Sequence, residues 1–293
     1  MNKNRMRKTI AALLALVLML IPMAALADAV EGEVVTLGND LTAEQREQVL
    51  RMLGVDDQMV ETITITIDEE KSLLGSYVPA QQIGSRSISS AYVKKAEAGA
   101  GITVKTQNIT WVSEKMYASA LATAGVTDAE VSVAAPFGVS GTAALAGILK
   151  AYEGVMDASL SQQAKDVAAQ ELVTTGNLAE IIGSDEAADF IATIKQEIIN
   201  QGLDSPEKLR PYVVDLAQQL EIQLTDEQID QIVDLAMKFI ELDLDPQQIV
   251  DQLQGIAQKL DTLNSFGQKT KQFFSKIGES ISGFFQWVGN LFK

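Results

Sequence analysis

The chain has 293 residues, neither histidine nor cysteine, and 39 acidic against 23 basic side chains. That composition excludes an imidazole base, a thiolate nucleophile, a disulfide framework and the usual zinc and copper sites. Carboxylate, hydroxyl, amine or hard-cation chemistry remains, or no chemistry at all.

The N-terminus reads as an export signal covering residues 1–27. Lys3, Arg5, Arg7 and Lys8 form a positive region, Thr9 to Ile21 an apolar core, and Ala25-Leu26-Ala27 a small-residue cleavage site before Asp28. The core is shorter than the roughly 20 residues of a membrane span. Cleavage near Ala27 removes four basic residues and no acidic one, leaving 19 basic against 39 acidic and a net charge of −20. Such a body repels nucleic acid. The charge serves solubility, or the binding of a cationic ligand.

Residues 28–154 read as an α+β domain. Strands are expected at Glu33 to Leu37, Thr62 to Ile67, Ile88 to Lys94, Ile102 to Asn108 and Glu130 to Ala134, from β-branched runs and period-two alternation. Helices are expected at Thr42 to Leu53 and Ser113 to Ala124, ended by Gly54 and Gly125. Each helix lies between two strands and is followed by a Gly-Val pair. The arrangement predicts two β-α-β-like units on one mixed sheet, with a hairpin at Ile88 to Asn108 between them.

After Gly154 the strand signals stop and an all-α domain is expected over 155–263. Apolar stripes run through Phe190, Ile191, Ile194 and Ile198; through Leu209, Tyr212, Val213, Leu216 and Leu220; through Ile229 to Ile240; and through Ile249, Leu253, Ile256, Leu260 and Leu263. Breaks fall at Gly183, at Gly202 to Pro206 and at Asp243 to Pro246. Thr225 with Gln228 repeats the capping arrangement of Thr42 with Gln45.

Residues 264–293 read as an amphipathic C-terminal helix. Phe273, Phe274, Ile277, Ile281, Phe284, Phe285, Trp287, Val288 and Phe292 recur at three- and four-residue steps, flanked by Lys269, Lys271, Lys276 and Lys293. Such a face suits a lipid interface or a partner's groove, and equally a helix closing the preceding bundle.

Four polar residues stand as candidate ligand contacts. Arg86 and Ser87 lie in the run Gly84-Ser85-Arg86-Ser87, where a guanidinium among hydroxyls suits a carboxylate or phosphate, or pairs with an internal acid. Ser140 and Thr142 open the helix Ala143 to Tyr152, either cradling an anion or capping the helix. Ser205-Pro206-Glu207-Lys208 has Ser-x-x-Lys spacing, which helix capping with proline at the first position also explains. Asp243-Leu244-Asp245-Pro246 opens like a calcium loop but lacks its glycine and closing glutamate. No metal, cofactor or catalytic residue is assigned.

At Leu37-Gly38, Asp40-Leu41-Thr42, Tyr77-Val78-Pro79, Ile83-Gly84-Ser85-Arg86, Ser89-Ser90-Ala91-Tyr92, Asn108-Ile109-Thr110 and Ser140-Gly141-Thr142-Ala143-Ala144-Leu145 the chain resembles the YpuA-like family. These are exported proteins of Gram-positive Firmicutes whose function is unknown. The likeness covers Glu33 to Leu263, implies export and the two-part layout, and brings no activity or catalytic residues.

The expectation is a secreted, non-enzymatic cell-envelope or surface binding protein of unknown ligand, its terminal helix contacting a membrane or a protein partner. The alternative is a hydrolase of envelope material, which needs Arg86 and Ser140 to converge in a cleft with an acid of raised pKa.

Overall fold

The structure, a computed structural model, describes residues 32–78, 83 and 85–261. The expected signal segment and the aromatic tail, including Phe273, Phe284 and Trp287, lie outside the described residues.

The N-terminal part carries strands β1 (Glu33–Gly38), β2 (Glu61–Ile65), β3 (Ser90–Lys95), β4 (Thr103–Ile109) and β5 (Ala129–Val139). Helices α1 (Ala43–Leu53), α2 (Ile67–Leu74), α3 (Glu114–Thr123) and α4 (Thr142–Met156) are threaded among them. There follow α5 (Gln162–Ile182), α6 (Ser184–Gln201), α7 (Pro206–Gln219), α8 (Asp226–Ile240) and α9 (Pro246–Asp261). The fold is thus a mixed sheet followed by helices, as the sequence predicts.

The sheet order is β2-β1-β3-β5-β4. β1 pairs in parallel with β2, and β4 with β5, so each expected β-α-β unit is present. β3 lies between the two units, antiparallel to β1 and β5. The expected hairpin is therefore wrong: β3 and β4 are consecutive in sequence, but β5 is inserted between them. β4 instead takes β5 as its parallel neighbour, through α3, and so occupies the sheet edge.

Both faces of the sheet are covered. On β1, Val35 and Leu37 pack with Val49 and Leu53 of α1, while Val34 joins the core on the opposite face with Val93, Val131 and helices α3 and α4. Double coverage explains why apolar residues stand next to one another at Val34-Val35 on β1, each facing a different core. Gly147 lets α4 lie close to the sheet, since a Cβ there would sit 2.5 Å from Thr36 Oγ1.

α3 is the hub of the molecule. Every residue from Lys115 to Thr123 is buried. The small side chains of Ala118, Ser119, Ala120 and Ala122 let it pack against β4, α5, α6 and α9 together. One hydrophobic cluster runs from Val93 and Val131 through Tyr117 and Leu121 to Phe190, Leu235 and Leu253. Sheet and helices therefore share a core.

Local chemistry fixes the helix ends. Thr42 with Gln45, Thr66 with Glu69 and Thr225 with Gln228 each form a capping box. α2, opened by the Thr66 box, replaces an expected strand end at Ile67. α4 corrects another expectation: its N-cap is Gly141 at φ +96, without a side-chain cap. The Thr142 hydroxyl is used elsewhere.

Candidate functional site

Thr142 Oγ1 donates to Glu70 Oε1 at 2.7 Å and lies 3.2 Å from Ser140 Oγ. Glu70 projects from α2 and is 1% exposed; its Oε2 is buried without a hydrogen-bond partner. Burial pushes its carboxyl up to about 7, opposed by the Thr142 hydrogen bond and the charge of Lys71. Beside it, the Tyr117 hydroxyl donates to Gly141 O at 2.5 Å, and burial also raises the pKa of that phenol.

Thr142 meets an acid of raised pKa and Ser140 lies beside Thr142, whereas the hydrolase alternative requires Arg86 and Ser140 to converge on such an acid. Arg86 does not join them: it is exposed and forms no hydrogen bond or ion pair with them among the described residues. Ser87 is fully buried and faces away from solvent, with its N–H donating to Asp40 Oδ2 at 2.7 Å and its Oγ without a partner.

A second buried polar cluster was not visible in the sequence. Lys195 of α6 is 3% exposed and Glu171 of α5 1%, their charged atoms 2.7 Å apart. Lys195 Nζ also donates to Ser119 O at 3.1 Å, Ser119 Oγ at 2.9 Å and Thr123 Oγ1 at 3.0 Å. Ser119 and Thr123 in turn donate to the two oxygens of Glu171 at 2.6 and 2.5 Å. The Phe239 ring lies 5.8 Å from the ammonium.

The Ser119–Lys195 contact has the spacing of a serine–lysine dyad, but its surroundings oppose catalysis. Burial draws the Lys195 pKa down, while the Glu171 carboxylate acts against it. An ammonium held by a carboxylate and three further oxygens keeps its proton and is no base. The hollow beside Ser119 measures about 20 Å³, room for a water and not for a substrate.

Two larger hollows open to solvent. A groove of about 590 Å³ between α5 and α8 is lined by Tyr77, Gln170, Asn177, Glu227, Asp230 and Asp234. Its walls are braced: Gln170 Nε2 donates to Asp234 Oδ2 at 2.7 Å, Lys238 Nζ lies 2.8 Å from Asp234, and Arg210 holds Asp230. A recess of about 320 Å³ lies where the β4–α3 turn meets the start of α6, and Trp111 forms part of its wall.

Trp111 is seated in a notch made by Gly176 in the middle of α5. A Cβ on Gly176 would lie 2.2 Å from the indole. Gly to Ala in a helix interior ordinarily stabilises by about 1 kcal/mol. Here Gly176→Ala is expected to destabilise by about 1–3 kcal/mol through overpacking, read as a lower urea midpoint with a shifted indole emission.

The remaining motifs have structural explanations. Lys208 Nζ donates to Asp204 Oδ1 at 2.7 Å, and Ser205 is the N-cap before Pro206, without a side-chain cap bond. Asp245 Oδ1 accepts from Gln247 N at 2.9 Å at the start of α9. Among the described residues no group of three or more carboxylates is placed to hold a metal ion, and no helix is long and apolar enough to cross a membrane.

A mixed sheet sharing one core with a helical array, and bearing polar hollows at its surface, is thus the form taken by a family of unknown function: the chain belongs to the family described as protein of unknown function (DUF1002), whose model matches residues 37–256. It is 43% identical over 280 residues to the uncharacterized protein YpuA of Bacillus subtilis (strain 168), covering 93% of this chain and 96% of that protein. No solved structure matches the chain.

Proposed function

We propose that the chain is an exported, non-enzymatic binding protein of the cell envelope. The observation that carries this reading is the separation of its buried, desolvated acid and amine groups from its accessible hollows. Glu70, Lys195 and Glu171, the buried charged groups of the core, are sealed inside and tied to neighbouring hydroxyls. The open hollows are lined by amides, hydroxyls, carboxylates and single aromatic rings held in place by side-chain bridges. Such surfaces suit recognition rather than bond breaking.

Export is supported by the leader before Asp28 and by the excess of negative charge that its removal leaves. The aromatic tail, with Phe273, Phe274, Ile277, Ile281, Phe284, Phe285, Trp287, Val288 and Phe292 on one face and lysines at its edges, supports contact with a membrane surface or a protein partner. No cofactor and no nucleic-acid partner belong to this reading.

The test compares the full chain with a version ending at Asn264 in co-sedimentation with vesicles containing anionic lipid. The full chain is expected to pellet and the shorter one to remain in the supernatant. Equal pelleting would remove the membrane role of the tail; light scattering then tests the tail as a protein-docking segment. N-terminal sequencing of the exported protein is expected to begin at Asp28.

A further inference from the structure

Trp111 occupies the short turn between β4 and α3, and that turn is tightly anchored. Thr110 N donates to Val139 O at 2.8 Å, Val112 N to Ser140 O at 3.1 Å, and the Thr110 hydroxyl again to Val139 O at 2.9 Å. On the other side the indole is keyed into the Gly176 notch. The ring is therefore pre-positioned, so little side-chain entropy is lost when something packs on it. It is half-buried, and its Nε1 forms no hydrogen bond among the described residues. A tryptophan this enclosed usually finds a partner for its N–H.

The rest of the recess wall mixes donors with acceptors. Thr106, Thr110 and Ser113 bring hydroxyls, and Glu114 and Asp185 bring carboxylates, while the ammonium of Lys115, which also lines the recess, is buried and taken up by both oxygens of Asp189 at 3.0 and 2.9 Å. Those carboxylates disfavour an anion. They also do not make a strong cation site. Glu114 Oε1 already accepts from Thr106 N at 2.9 Å. Asp185 lies in the first turn of α6, whose N-cap Gly183 supplies no side-chain acceptor, so the positive helix end offsets its charge. What fits is a neutral ligand with many hydroxyl groups and one apolar face. Its hydroxyls would donate to the carboxylates in charge-assisted bonds, and its C–H face would cover the indole. A volume of about 320 Å³ is at the small end of ligand sites, which suits the end of a sugar chain rather than a long stretch of it.

We propose that the recess walled by Trp111, Glu114 and Asp185 is a saccharide-binding subsite that recognises uncharged sugar rings. This rests on the reading of the chain as an envelope binding protein and names the ligand class for it. Gly176 is part of the device, because only a glycine there lets the indole lie against α5.

The experiment uses the full chain carrying Trp287→Phe, which leaves Trp111 as the single indole, and titrates it with a β-1,4-linked N-acetylglucosamine trisaccharide. A saturable change in indole emission is expected. Asp185→Ala, checked for its fold by circular dichroism, is expected to weaken binding about tenfold, the scale of one charge-assisted contact. Trp111→Ala, followed by calorimetry, is expected to abolish it. A quaternary ammonium compound at the same concentration is expected to leave the emission unchanged. The proposal is overturned if the trisaccharide gives no saturable signal, if the ammonium compound gives the larger one, or if Asp185→Ala binds as tightly as its parent. Pelleting of the full chain with Trp287 intact, with purified cell-wall polymer and with vesicles, separates the two readings. Pelleting without a trisaccharide response sinks the subsite and leaves the binding protein. A trisaccharide response without pelleting sinks the envelope role and leaves the subsite.

Discussion

Lys195→Met is expected to destabilise the protein by about 3–5 kcal/mol. The substitution keeps most of the side-chain volume and removes the charge. Glu171, 1% exposed, would then keep two hydroxyl donors, Ser119 and Thr123, but lose its only counter-charge within the cluster. A buried carboxylate so stranded costs more than a lost hydrogen bond, because the whole desolvation penalty falls on one ion. The double variant Lys195→Met with Glu171→Leu removes both charges and is expected to recover most of the loss. Urea denaturation of the parent, both single variants and the double variant measures this. If the double variant is as unstable as the sum of the singles, the two residues do not act as a pair.

Glu70 governs a different quantity, the dependence of stability on pH. Its carboxyl titrates at about 7 in the fold, against an ordinary value of 4.5. The folded state therefore favours the protonated acid. Its favourable contribution is fully present below pH 4.5 and is lost as pH rises to about 7, where the folded form must carry an unpaired buried charge. The gap between the two values corresponds to about 3 kcal/mol. Glu70→Gln retains an acceptor for Thr142 and cannot ionise. It is expected to raise the melting temperature at pH 8 by several degrees and to change it little at pH 4. An equal shift at both pH values would show that the benefit comes from packing and not from the proton.

Much of the architecture was readable because burial leaves a periodic trace. The stripes at Phe190 to Ile198, Leu209 to Leu216, Ile229 to Phe239 and Ile249 to Ile256 supply the buried faces of α6 to α9. α2 was missed because Ile63-Thr64-Ile65-Thr66-Ile67 reads as one β-branched run. The Thr66 and Glu69 capping box, the same signal used at Thr42, marked the change to helix. The β3–β4 hairpin failed because sequence proximity is a weak guide to strand order when a helical crossover can bring in a third strand.

The candidate sites were less legible, and for a definite reason. Lys195 is separated by 24 residues from Glu171 and by 76 from Ser119. Nothing local distinguishes it from a solvated lysine on the polar side of an amphipathic helix. Trp111 and Gly176 likewise gain meaning only when α5 passes over the β4–α3 turn. Ser140 and Thr142, singled out as candidate ligand contacts, do lie side by side, but Glu70, to which Thr142 bonds, lies 72 residues before it and was hidden among many other acids.

The Gln252 amide oxygen on α9 accepts from the backbone N–H of Ile102, across 150 positions of sequence. α9 also rests on α3, which the sheet has already enclosed. A polypeptide released N-terminus first has no way to finish this closure until its last core helix has emerged. Were the chain exported as proposed, it would stay open and threadable during passage through a translocation channel, and final compaction would await release on the far side.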